Sequence, residues 1–177
     1  MKRRIIILAT ITGIIVLYII RVVIVNQNTF HVAKENYAKG EVCTYEEFQY
    51  RVLSSVVMDK NAIEEKFGNT YEEYMPVTTD YIVTEMEVTY IGSEQEAKCK
   101  GLFEFTSGGW SNGNAMYLMN QLNKDDMVVR NGETRTMWLF GSMSEPQFTA
   151  KEWKNRHDMK FQLVLSLLPK EVIMECQ

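Results

Sequence analysis

Phe48-Gln-Tyr-Arg-Val-Leu-Ser-Ser-Val-Val-Met58 is the stretch on which the fold class turns. Phe48, Tyr50, Val52, Val56 and Met58 recur at every second position, with Ser54 completing the row. Gln49, Arg51 and Ser55 stand on the other side. Successive side chains of a strand point to opposite faces, so this period predicts a half-buried β-strand.

The same period recurs along the chain. Ile82, Met86, Val88 and Tyr90 alternate with Glu85, Glu87 and Thr89. Cys99, Gly101, Phe103 and Phe105 share a face opposite Lys100 and Glu104. Met127–Val129 and Thr134–Phe140 flank Arg130-Asn-Gly-Glu133, and Asn-Gly predicts a hairpin turn because both residues tolerate positive φ. Met159, Phe161, Leu163, Leu165 and Leu167 form a further row ended by Pro169, and Val172, Met174 and Cys176 form the last. With Val42–Tyr45 as a short first strand, the expectation is an all-β sandwich of about seven to eight strands. Short helices are expected to interrupt it. Asn61-Ala-Ile-Glu64 and Thr149-Ala-Lys-Glu152 have capping-box spacing, Gly68 supplies a stop, and Asn114–Leu122 has room for one or two turns.

The start of the chain differs in kind. Lys2, Arg3 and Arg4 precede Ile5–Val25, whose only charge is Arg21. Twenty-one helical residues span about 31 Å at ~1.5 Å each, against a hydrocarbon core of ~30 Å. Arg21 is close enough to the end for its guanidinium to reach the interface. No small-residue cleavage site follows, so an uncleaved anchor is expected rather than a signal peptide. The basic start places the N-terminus in the cytoplasm. The expected organisation is a cytoplasmic start at 1–4, a transmembrane helix at 5–25, a stalk at 26–39 and an extracytoplasmic sandwich at 40–177, in a single-pass cell-membrane protein.

Charge follows the same division. The 177 residues carry a formal −4, yet every acidic residue lies beyond position 34. Residues 26–177 carry 15 Lys+Arg against 23 Asp+Glu, a net −8. An acidic domain without a basic patch argues against nucleic-acid binding.

Candidate chemistry is sparse. Cys43, Cys99 and Cys176 have no Cys-x-x-Cys spacing for zinc. They are read either as small buried apolar side chains or as one disulfide joining Cys99 to Cys43 or Cys176. His31 falls in the stalk, and His157 adjoins Asp158, whose side chain would face the other way in a strand. The pairs Glu46-Glu47, Glu64-Glu65, Glu72-Glu73 and Asp125-Asp126 lack the alternating pattern of a calcium loop and read as surface charge. The sequence therefore assigns no catalytic residue, no metal ligand and no cofactor. Its most suggestive loop is Ser107-Gly-Gly-Trp-Ser-Asn-Gly-Asn114. Trp110, Ser111, Asn112 and Asn114 are the candidate binding residues, since a loop tryptophan can anchor a partner and the amides can pair with a sugar or a peptide backbone. The competing reading has Trp110 fold back to plug the end of the sandwich. Trp138 is expected in the core and Trp153 beneath its short helix.

The order of these features resembles a known group. The apolar helix ends in Arg21-Val-Val-Ile-Val-Asn26 and is followed by Gly40-Glu41, Tyr81-Ile-Val-Thr-Glu-Met-Glu-Val88, Ser107-Gly-Gly-Trp-Ser-Asn112 and Leu165-Ser-Leu-Leu-Pro-Lys170. Over nearly its whole length the chain resembles small membrane-anchored proteins of Gram-positive bacteria that carry an immunoglobulin-like extracytoplasmic domain of unknown function. The resemblance implies an immunoglobulin-like sandwich outside the membrane and brings no catalytic residues with it. The expected function is a non-enzymatic binding or accessory module engaging another envelope or membrane protein, with the bilayer as its other partner through residues 5–25. The alternatives are a tethered envelope hydrolase using Asp or Glu, and a structural subunit of a membrane assembly.

Overall fold

A computed structural model describes residues 2–27, 32–68, 79–101, 103–123 and 127–177, with side chains in the first segment placed only for 11–25. The chain divides into two units, Met1–Val32 and Ala33–Gln177. In the first, α1 spans Lys2–Gln27 and its described apolar side chains are exposed. Among the described residues no helix is long and apolar enough to cross a membrane.

The second unit is a β-sandwich. One sheet has four antiparallel strands in the order β2 (Cys43–Tyr45), β3 (Phe48–Met58), β4 (Thr79–Tyr90) and β9 (Thr134–Ser144). The other has five, in the order β1 (Ala33–Tyr37), β11 (Lys170–Glu175), β10 (Gln162–Ser166), β6 (Glu104–Ser107) and β7 (Trp110–Gly113). β1 runs parallel to β11; the other pairs of this sheet are antiparallel. A small pair, β5 (Glu96–Lys98) and β8 (Val128–Arg130), stands apart. The helices α2 (Lys60–Phe67), α3 (Met116–Leu122) and α4 (Ala150–Lys154) lie between strands.

The two large sheets bury one core. Phe105 of β6 lies against Gly141 of β9, and the Tyr50 and Phe103 rings meet edge-on at 5.3 Å. Val88, Tyr90, Met86 and Ile82 of β4 are all buried on the inner face, as their alternation predicts. A second apolar layer covers the outer face. Asp59 caps α2 by accepting from the Ala62 amide, and the helix sets Ile63 and Phe67 over Val83, Trp138 and Phe140.

Four expectations are corrected. Ala33–Tyr37, read as stalk, is an edge strand, and the domain begins there rather than at Gly40. Its polar composition hid it, because its hold on β11 is partly ionic: Lys34 pairs with Glu171 at 2.6 Å and Lys170 pairs with Glu35. In β3 the register shifts between Val52 and Ser54. That bulge moves the inward row from even to odd positions, so Ser55 is buried and Val56 is exposed. Asn131-Gly132 does turn the chain, with Gly132 at φ +73, but the flanking strands do not pair with each other. β8 pairs with β5 and β9 with β4, so the turn passes the chain from the small pair to a large sheet. Trp138 is half-buried beneath α2 on the outer face, with the Lys66 ammonium 4.3 Å from its ring, rather than in the inner core.

Candidate functional site

The segment Ser107–Asn114 is a hairpin rather than a free loop. Gly108, at φ +57, and Gly109 turn β6 into β7. Trp110 opens β7 and folds back: its ring lies 5.4 Å from Phe148 and 6.0 Å from Phe161, and Phe148 lies 5.9 Å from Trp153. The ring thus packs back onto the domain, half-buried, rather than standing clear of it.

Trp110 also borders a cleft of about 350 Å³, walled by Ser107, Gly109, Ser111, Gln147, Phe148, Glu152 and Met159. The indole Nε1 of Trp110 is buried and has no hydrogen-bond partner among the described residues. A buried unpaired N–H costs on the order of 1–3 kcal/mol, so it is an asset only when something accepts from it. The wall opposite is held by local caps. Ser144 donates its amide to Gln147 Oε1 at 2.9 Å. Thr149 and Glu152 form the capping box expected from their spacing, with the Thr149 amide and hydroxyl donating to Glu152 at 2.9 and 2.7 Å. The Thr149 hydroxyl, then its amide, hold the Glu152 carboxyl below its ordinary value. Arg156 fixes the end of this segment by pairing with buried Asp80, donating to the Trp153 carbonyl at 3.1 Å and stacking 4.6 Å over the Trp153 ring.

The asparagines named with Trp110 do different work. Asn112 donates to the Ser142 carbonyl and hydroxyl at 2.9 and 3.1 Å. Asn114 donates to the carbonyls of Gly101 and Phe103, the latter at 3.0 Å, and forms an isolated bridge with Gly141. Both amides tie backbone together, so the candidate set reduces to Trp110 and Ser111. Gln147, Phe148, Glu152 and Met159, which complete the cleft, were not singled out from the sequence. The Thr149-x-x-Glu152 box was the available signal, since it places α4 next to an aromatic pair.

The disulfide expectation is also corrected: all three cysteines are free and buried. Cys43 lies beside Tyr37, Cys99 beside Tyr50 and Cys176 beside Ser55 and Thr84, so each thiol has its own polar neighbour. Burial pushes Cys43 up to about 11 and Cys176 to about 12, and raises Cys99 as well. Glu46, Glu47, Glu65 and His157 are exposed, and Glu64 lies 3.6 Å from Lys60. His31, Glu72-Glu73 and Asp125-Asp126 lie outside the described residues. Among the described residues, no group of three or more His, Cys, Asp or Glu side chains is placed to hold a metal ion.

The sandwich has solved counterparts. An uncharacterised β-sandwich protein from Clostridium difficile 630 superposes with a TM-score of 0.52 at 10% identity, covering 83% of this chain and 97% of that one. The likeness is one of fold. A conserved hypothetical protein from Bacillus anthracis gives a TM-score of 0.47 at 15% identity, with 80% and 95% of the two chains covered. A functionally unknown protein from Listeria monocytogenes EGD-e gives 0.43 at 12% identity, with 71% of each covered. No protein-family model and no curated protein matches the chain.

Proposed function

We propose that the chain is a single-pass membrane protein whose residues 33–177 form an extracytoplasmic, immunoglobulin-like module that binds another envelope or membrane protein without catalysing a reaction. Strand order supports the immunoglobulin-like reading. β4 and β9 correspond to strands B and E of one sheet, and β6, β10 and β11 to C, F and G of the other, with β7 in the place of C′. β3 stands where strand A would pair with B. The anchor reading rests on the apolar run Ile5–Val25 after Lys2-Arg3-Arg4.

The observation that carries the binding role is the Trp110 cleft. It joins the Trp110 and Phe148 rings to a polar rim of Ser107, Ser111, Gln147 and Glu152. Aromatic anchors that fill pockets are the usual centres of binding energy at protein interfaces. The cleft also lies at the end of the five-stranded sheet remote from Ala33, because β6 and β10 meet there at Thr106 and Gln162 while Ala33 pairs with Lys170.

Site-specific photo-crosslinking in native membranes tests this. A photoreactive residue at Ser111 of the full chain is expected to give a discrete adduct that disappears in Trp110→Ala. The same residue at Asn61 on α2 should give none. Equal labelling from both positions, or none from Ser111, overturns the proposal.

A further inference from the structure

We infer that the turn Leu167-Leu168-Pro169 is a foot that rests in the outer face of the bilayer holding α1; this rests on the anchor reading above. Leu167 and Leu168 are 57% and 67% exposed, and Leu168 is the most exposed large apolar side chain among the described residues of the domain. Pro169 suits the turn, but two exposed leucines before it are not turn-forming residues.

Chain path places the tip. In the parallel β1·β11 pair, Ala33 lies opposite Lys170, and both strands leave that level in the same direction. The turn before Lys170 therefore projects on the side from which the chain arrives at Ala33. Only residues 28–32 separate Ala33 from the end of α1 at Gln27. Six Cα-to-Cα steps reach at most about 20 Å. Crossing to β11 adds roughly 5 Å, and stepping back from Lys170 to Leu168 roughly 7 Å. With α1 in the membrane, Leu168 is thus tethered within about 30 Å of chain path of the interface where the helix ends.

The charges nearby leave the apolar tip as the dominant feature. Lys34 and Lys170 are spent on Glu171 and Glu35. The next cleft at this end contains Leu165 with Glu46, Glu47, Lys98 and Lys100, two charges of each sign. Ile91, 44% exposed, donates its amide to the Glu47 carbonyl and adds another apolar side chain there. With the neighbouring charges paired or balanced, two exposed leucines suit an uncharged apolar layer, and their contact should be insensitive to salt. A lipid surface fits this arrangement better than a protein partner, because the tether keeps the tip within that reach of the surface at all times and so raises its effective concentration there.

The test uses the full chain in phosphatidylcholine vesicles whose lipids carry a nitroxide on the acyl chain. Leu168→Cys and Gly109→Cys are each labelled with an environment-sensitive fluorophore; a side chain at Gly109 meets open space, at the opposite end of the sheet. The native thiols are buried, so labelling is confined to the new site. The expected result is a blue-shifted Leu168→Cys label quenched several-fold more than the Gly109→Cys label, unchanged by added salt. Equal, weak quenching at both positions overturns the foot. A blue shift without nitroxide quenching points to a second copy or another protein and overturns it too. Vesicle flotation separates the two levels: a chain that fails to float overturns the anchor and the foot together, whereas one that floats with an unquenched Leu168→Cys label overturns the foot alone.

Discussion

Gly141→Ala tests whether the two sheets pack as described. Gly141 stands in β9 opposite Ile82 and faces the five-stranded sheet. A Cβ there would lie 2.5 Å from Cδ2 and 2.8 Å from Cγ of Phe105, a ring with no exposed surface. Atoms of this kind need at least ~3.5 Å. Phe105 is a fully buried member of the core, so the ring can yield only by displacing its neighbours. Overpacking of this sort costs about 1–3 kcal/mol, and the size of the clash puts Gly141→Ala near the top of that range. The lost flexibility of glycine in the unfolded chain works the other way, by about 0.4–1 kcal/mol. The net expectation is destabilisation by about 2 kcal/mol. In urea unfolding of residues 33–177 the midpoint should fall without a change of slope. A cycle with Phe105→Leu makes the test specific. In that background the added methyl should cost at least ~1 kcal/mol less, because the shorter side chain vacates the space. If Gly141→Ala left stability unchanged within ~0.5 kcal/mol, or if the two substitutions were additive, the proposed contact between β6 and β9 would be wrong.

Two further outcomes follow from the buried polar groups. Asn123→Ala removes the amide that donates to the Trp138 and Met119 carbonyls at 2.8 and 2.9 Å and the oxygen that accepts from the Trp138 amide at 2.7 Å. It should cost about 1–3 kcal/mol in urea and speed hydrogen exchange at the Trp138 amide, whereas a purely local loosening of α3 would leave that amide protected. The thiols predict an alkaline loss of stability. Their folded values lie above the ordinary 9.0, so the unfolded chain releases these protons first. The contribution is complete below pH 9 and is lost as pH rises towards about 11 for Cys43 and about 12 for Cys176. Unfolding midpoints across this range should fall less steeply in Cys176→Ala than in the parent chain, and parallel curves would contradict the assignment.

Alternation made β4 and β11 legible, because their inner rows sit against one core, whereas the β10 row holds only from Phe161 to Leu165: the register shifts between Val164 and Ser166, and Leu167, expected in the row, is exposed. Ile82, Leu163 and Met174 are all fully buried. β3 was legible only up to Val52. Beyond it one extra residue inverts the row, and nothing in Leu53-Ser54-Ser55 marks where a bulge falls. β1 was missed for a different reason: Lys34, Glu35 and Asn36 carry no apolar period, and their pairing becomes visible only once Glu171 and Lys170 lie opposite. The cleft was half legible. Trp110 and its glycine turn stood out, but the wall from Gln147 to Met159 arrives from another part of the chain, and only the fold brings it to the hairpin.

The asparagines explain why a tryptophan rather than a strand edge is the surface on which recognition is proposed. β9 borders its sheet with eleven residues, long enough to recruit a foreign strand. Side chains and one amide close much of that edge. Asn123 takes both backbone groups of Trp138, the Ala115 amide takes the Phe140 carbonyl at 2.6 Å, and Asn112 takes the Ser142 carbonyl. Gln147 takes the Ser144 amide. At the other borders β2 has three residues, β7 has four, and β1 carries Lys34 and Glu35. Short or charged edges discourage strand addition. A partner of this module would therefore meet side chains. Among the described residues at the end remote from Ala33, Trp110 and Phe148 are the aromatic side chains that border the cleft, so a partner seated there gains by covering those rings rather than by extending a sheet.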